Sequence, residues 1–160
     1  MQSYKSLNNI NQIIDNYDSF IIDIWGVLWD GIKAYKYAKL TLKKLKEKNK
    51  NIILLSNAPR RAKIVSDKLS SIGINNNLYD NIPSSGEVCR EECLSNKKKL
   101  SLLGESYYFI GQELDKGITK NLEIKEVSSI SKSSFVLVCG TRDFDHTLNN
   151  YKNCLLYTSP

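Results

Sequence analysis

The chain has 160 residues, of which 41% are hydrophobic and 25% charged, and its formal net charge is +6. That balance suits one ordinary globular domain, or one small domain with part of another, and excludes a disordered or membrane chain. No stretch approaches the roughly 20 apolar residues that span a bilayer, and the polar segment 1–16 lacks the apolar core of a signal peptide, so the expected compartment is the cytoplasm.

Leu7, Ile10, Ile13, Ile14 and Tyr17 recur at helical spacing and predict an N-terminal helix. A strand over 19–24 follows, within a run that reads Phe-Ile-Ile-Asp-Ile-Trp-Gly-Val-Leu-Trp-Asp-Gly from Phe20. The run holds a lone carboxylate, Asp23, and breaks at Gly26, as when a buried strand delivers one reactive side chain to the rim of a sheet. Ala34, Ala38, Leu42 and Leu45 mark one face of a second helix, whose lysine-rich end suits a helix C-terminus. Residues 51–55 form a second continuous apolar strand, as in a buried parallel sheet. Pro59 sits where the next helix would open; Ala62, Val65, Leu69 and Ile72 give its apolar face, and Gly73 its stop. The order β-α-β-α, with strands spaced for a right-handed crossover, places Asp23 and Ser56 just past the carboxyl ends of adjacent parallel strands, on one rim.

After Gly73 the texture changes. Residues 75–77 are a polar asparagine loop, 79–82 a candidate short strand, and Pro83, Ser84, Ser85 and Gly86 a hinge. A helix over 87–98, strands over 107–110 and 124–127, and a strong strand over 135–139 closed by Gly140 then build a second α/β segment. The tail 154–160 shares no periodicity with what precedes it and resembles the translation of a transposon-end sequencing adapter, so the native sequence is expected to stop near Asn153.

An aspartate at a strand end can attack phosphorus and form an aspartyl-phosphate that water hydrolyses. It needs a cation beside it, and magnesium with oxygen ligands suits the task. Ser56 and Asn57 offer a hydroxyl and backbone N–H groups at a helix start, where phosphoryl oxygens bind readily, and Arg60 and Arg61 add positive charge. An N-cap explains the Ser-Asn pair alone equally well; its sharing a rim with Asp23 favours function.

The cysteines do not form a metal framework. Cys89 and Cys93 are four apart, Asn96 stands where a third ligand could sit, His146 is the sole histidine, and no Cys-x-x-Cys pair exists. Free, inert thiols are expected. The basic charge gathers in lysine runs, Lys43, Lys44, Lys46, Lys48, Lys50 and Lys97 to Lys99, without interleaved arginine or aromatics. These read as solvated helix surface, not as a nucleic-acid stripe.

Asp23-Ile24-Trp25-Gly26-Val27-Leu28, then Asp30-Gly31 and Leu54-Leu55-Ser56-Asn57, resembles the haloacid dehalogenase superfamily. More narrowly it resembles class IIA, in a subgroup with an Asp-x-Trp-Gly-Val first motif. Ile82 to Glu87 resembles the segment leading into that class's cap. Phe135 to Gly140, with Asp145, Leu148 and Tyr151, resembles a later strand and helix of the cap. The implied fold is α/β: an incomplete Rossmann-like parallel-sheet core over 1–85, part of an α/β cap over 86–153, and a non-native tail over 154–160.

The implied activity is a magnesium-dependent phosphatase or phosphotransferase acting on a small phosphorylated metabolite, with no nucleic-acid or membrane partner. Asp23 is then the nucleophile and a Mg2+ ligand and the Trp25 carbonyl a second ligand, while Ser56, Asn57 and Gly26 bind phosphate. Two departures stand out. The family's second aspartate, the acid for the leaving group, is Trp25 here, and Asp30 is the candidate surrogate. The family's later basic and acidic motifs are not met before the chain ends, and Lys152 falls too early for the basic one. The fragment alone is therefore expected to be inactive, a poor binder of magnesium and marginally folded, with the Asp23 strand left at an edge. The rival reading is a non-catalytic, phosphometabolite-binding regulatory relative.

Overall fold

The structure is a computed structural model, which describes residues 6–95 and 97–140. Asp145, His146, Leu148, Tyr151, Lys152 and the tail 154–160 lie outside the described residues, as do the side chains of the second lysine run. Five strands and four α-helices are described: β1 (Ser19–Asp23), α1 (Ala38–Glu47), β2 (Asn51–Leu55), α2 (Ala62–Ser71), α3 (Ser85–Ser95), α4 (Lys97–Leu103), β3 (Ser106–Ile110), β4 (Lys125–Glu126) and β5 (Phe135–Val138). The chain divides into two compact units. One holds the residues up to Ala58 together with Ala62–Ser84; the other holds Pro59–Arg61 and the residues from Ser85 onward.

In the first unit β1 and β2 pair in parallel, with Ser19 opposite Asn51 and Asp23 opposite Leu55. Segment 80–84 runs along the other side of β2. The Asp80 N–H donates to the Ile52 carbonyl (2.8 Å), Leu54 N–H to Asn81 (2.9 Å) and Ser56 N–H to Pro83 (3.2 Å). The short strand expected at 79–82 is thus present as parallel bridges, Ile53 with Asn81 and Ser56 with Ser84. Alternation along β1 and β2 puts Phe20, Ile22, Ile52 and Leu54 on one face, where they join Leu42 and Leu45 of α1 and Val65 and Leu69 of α2 in the core. On the opposite face Ile21 is 70% exposed and Leu55 48% exposed. The expectation of strands buried on both faces therefore holds on one face only.

Both helices of this unit stop through a residue at positive φ. Gly73 (φ +87°) lets the Ile74 N–H reach the Leu69 carbonyl (2.9 Å), and Asn49 (φ +54°) does the same for Lys50 and Leu45 (3.0 Å). Two expected boundaries move. The N-terminal helix is replaced by two single 3-10 turns, Ile10–Gln12 and Ile14–Asn16. Side chains explain the change: Asn9 accepts from the Asn11 N–H (3.0 Å) and Gln12 from the Asn8 N–H (2.9 Å), local bonds that compete with a helix ladder. In addition, α2 opens at Ala62 rather than at Pro59.

The second unit is built on a parallel sheet ordered β4-β3-β5, with Tyr107 opposite Phe135 and Ile110 opposite Val138. The Tyr107 and Phe135 rings stack with centroids 5.9 Å apart, and the Tyr107 hydroxyl bonds Thr119 Oγ1 (2.8 Å). Arg90 of α3 is buried and donates to the carbonyls of Ile118 (2.7 Å) and Lys120 (2.6 Å). The single helix expected over 87–98 is α3 followed by α4.

Candidate active site

Asp23 closes β1. Its carboxylate accepts the N–H of Ile24 (2.9 Å), and the Ile24 N–H also lies 3.2 Å from the Leu55 carbonyl, carrying the ladder one step past the strand. Ser56 is the next residue on the neighbouring strand, and parallel strands lie about 4.8 Å apart. The structure therefore brings Asp23 and Ser56 to the same carboxyl rim of one sheet. Asp23 is exposed, Ser56 partly covered and Asn57 exposed.

The chain turns sharply after Asp23. The Ile24 carbonyl accepts from Leu28 N–H (2.9 Å) and Trp29 N–H (3.3 Å), while Gly26 at φ +79° donates its N–H to the Trp29 carbonyl (2.9 Å). Few side chains tolerate that φ, so the glycine is what permits the turn. Its amide is committed within the loop, which leaves the expected phosphate contact at Gly26 without a donor. Ile24 and Leu28 plug the loop into the core. Trp29 is half-buried, with Lys68 Nζ 5.4 Å from its ring centroid. Trp25 is 68% exposed.

Asp30 does not suit the surrogate-acid role. Its carboxylate accepts the N–H groups of Lys33 (2.8 Å) and Ile32 (2.9 Å), and these two bonds hold its carboxyl below the usual carboxylate range. A group so held is ionised at neutral pH and donates no proton. Asp30-Gly31 acts as a turn pair.

Ser56 Oγ accepts the Ala58 N–H (3.2 Å). The hydroxyl's acceptor side is thereby engaged, leaving its proton to donate outward. Neither Ser56 nor Asn57 opens a helix, since α2 begins at Ala62; the pair sits in a loop, and the dipole argument for it lapses. Arg60 and Arg61 are not spare charges for a phosphate. Arg61 Nε bonds Glu87 Oε2 (2.8 Å), which raises its pKa further. Arg60 Nε lies 3.1 Å from Asp115 Oδ1, close enough for an ion pair although the N–H does not point along the contact. Both arginines belong with the second unit. Ser84, read from the sequence as part of a hinge, is fully buried and bridged beside Ser56; the Ser-Ser-Gly run carried no signal for that.

For magnesium, the described residues offer hard oxygen donors of the right kind: the Asp23 carboxylate and the Trp25 carbonyl, which takes no part in the bridge between Trp25 and Trp29. Among the described residues no three His, Cys, Asp or Glu side chains converge on a metal position. The thiols Cys89, Cys93 and Cys139 are free; burial, with Asp115 and Cys89 nearby, pushes Cys139 up to about 11. It is inert at neutral pH.

Comparison with known proteins decides the family. A profile for haloacid dehalogenase-like hydrolases matches residues 20–153. The chain belongs to that family. It is 31% identical over 121 residues to the chloroplastic phosphoglycolate phosphatase 1A of Arabidopsis thaliana, covering 75% of this chain and 32% of the relative. It is 33% identical over 117 residues to 4-nitrophenylphosphatase of Schizosaccharomyces pombe, covering 70% and 39%. A haloacid dehalogenase-like hydrolase from Brucella suis 1330 superposes with a TM-score of 0.80 at 26% identity, over 94% of this chain and 55% of that one. A glycerol phosphate phosphatase from Mycobacterium tuberculosis, solved with magnesium, shares the fold at a TM-score of 0.63 and 16% identity, over 90% and 42%. The chain thus spans about a third of these curated relatives and about half of these structures.

Proposed function

We propose that the protein carrying this chain is a magnesium-dependent phosphatase or phosphotransferase for a small phosphorylated metabolite, working through an aspartyl-phosphate on Asp23. The observation that supports it most is the β1–β2 register, which brings residues 23 and 56 to the same carboxyl rim of one sheet. In this reading an Asp23 carboxylate oxygen attacks phosphorus in line, and the bond to the leaving-group oxygen breaks with its electron pair. Water then attacks the same phosphorus, releasing inorganic phosphate and the free carboxylate. The Ser56 hydroxyl and the Asn57 amide hold the phosphoryl oxygens meanwhile. Asp23 and the Trp25 carbonyl would hold magnesium, which supplies charge neutralisation at the phosphoryl group. Names of relatives that act on phosphoglycolate and on 4-nitrophenyl phosphate agree with a small phosphate ester as substrate.

One observation favours a second reading. Trp25 cannot give up a proton, and Asp30 is held ionised, so neither serves as leaving-group acid. A phosphate-binding regulatory protein needs no such acid. Beryllium fluoride with magnesium, added to the complete gene product, should form an adduct on Asp23 detectable by mass spectrometry. Asp23→Asn should abolish the adduct and lower phosphatase activity by about 10⁴-fold or more. An adduct without turnover supports the regulatory reading. No adduct on the wild type overturns both.

A further inference from the structure

The loop after β1 carries two tryptophans that the fold treats oppositely. Trp29 is half-buried, packed on the core beneath Lys68. Trp25 is 68% exposed, and an exposed indole offers a large planar apolar face. Its ring lies beside Gly31, where an added Cβ would stand 3.4 Å from Nε1 and 3.5 Å from Cζ2. Trp25 is two residues past Asp23, a separation of at most about 7 Å along the backbone.

We propose that the Trp25 indole is the platform on which the leaving group stacks, and that the protein selects phosphates of planar, phenol-like leaving groups. The inference rests on the phosphotransfer reading above and deepens it. Two independent requirements meet in one chemistry. Neither Trp25 nor Asp30 supplies an acid beside Asp23, and a leaving oxygen that departs with its electron pair as a stabilised anion, taking its proton from bulk water, needs none there. An aryl or heteroaryl oxide does this; an alkoxide does not, and positioned acids typically account for about 10²- to 10⁴-fold in rate. The same aromatic ring presents the π-face that an exposed indole beside Asp23 is suited to meet.

The test uses the complete gene product with phenyl phosphate, 4-nitrophenyl phosphate and ethyl phosphate. Wild-type kcat/KM should be at least about 10²-fold higher for the aryl esters. Trp25→Ala should raise KM for phenyl phosphate about tenfold more than it raises KM for ethyl phosphate, the scale of base–aromatic stacking, and Trp25→Phe should recover most of that difference. Trp25→Asp should narrow the gap between aryl and ethyl esters by supplying an acid. A binding readout stands apart from activity: a non-hydrolysable 4-nitrophenylphosphonate should quench indole fluorescence in the wild type and not in Trp25→Phe, which keeps Trp29. Equal turnover of aryl and ethyl esters, a KM change in Trp25→Ala that is the same for phenyl and ethyl phosphate, or quenching that persists in Trp25→Phe overturns the inference. Failure of the Asp23 adduct, by contrast, removes the phosphotransfer reading itself.

Discussion

Asp80 ties the third parallel segment of the first unit to two others. One oxygen accepts from Lys46 Nζ at the end of α1 (2.5 Å), and the other accepts the Ile52 N–H at the start of β2 (2.7 Å). The Lys46 bond first, then the Ile52 N–H, hold its carboxyl below the ordinary value of 3.8. A depressed folded pKa means that the stabilisation is fully present above the unfolded value and is lost as pH falls through the folded one. Wild type should therefore be more stable than Asp80→Asn at neutral pH, by a margin constant between about pH 5 and pH 8 that closes below about pH 4. Urea unfolding across that range checks it. A margin that survives at the acid end would mean that Asp80 acts through shape and not charge. At the same scale, Asp30 shows why partners matter more than residue type: two backbone amides settle its role, and neither is visible as such in the sequence.

At the scale of the element, periodicity carried furthest where a single period governs. Both strands and the apolar faces of α1 and α2 follow directly from the spacing of Leu42 and Leu45, of Ile52 and Leu54, and of Val65 and Leu69, because burial on one face imposes that spacing. The rim position of Asp23 and Ser56 was legible for the same reason. What was not legible depends on contacts between distant residues. Helix-like spacing before Tyr17 loses to the Asn9 and Gln12 side chains, Pro59 to Arg61 join Glu87 and Asp115 of the second unit, and the exposure of Ile21 depends on which face of β1 is covered. That last difference sets a sharp contrast within one sheet. Leu54→Ala, at a site with no exposure, should destabilise this chain by about 2–5 kcal/mol in chemical denaturation. Ile21→Thr, on the open face, should change it by no more than about 0.5 kcal/mol. Equal losses at the two positions would show that the outer face of β1 is covered in solution.

Among the described residues, the lysines of the first run sit on a solvated surface beside carboxylates. Within the first lysine run, Lys43 pairs with Glu47, Lys46 with Asp80, Lys48 with Asp15 and Lys50 with Asp18. Among the described residues, no helix is long and apolar enough to cross a membrane. The two units each have their own core, and the chain passes between them at Pro59, at Ala62 and at Ser85. In the second unit Pro59–Arg61 is secured by the Arg60–Asp115 and Arg61–Glu87 pairs and by a close backbone approach at Gly86. A Cβ there would meet Arg60 N at 2.4 Å, the Pro59 carbonyl carbon at 2.7 Å and the Arg60 carbonyl oxygen at 2.8 Å. These are backbone atoms, which cannot swing aside as a side-chain tip does. Gly86→Ala should therefore force α3 away from Pro59–Arg61, at a cost of about 1–3 kcal/mol or more. Because the cores are separate, hydrogen exchange should accelerate in α3 and at residues 59–61, while the amides of β1 and β2 keep wild-type protection. Acceleration of equal size in β1 and β2 would mean that one cooperative unit, not two, unfolds.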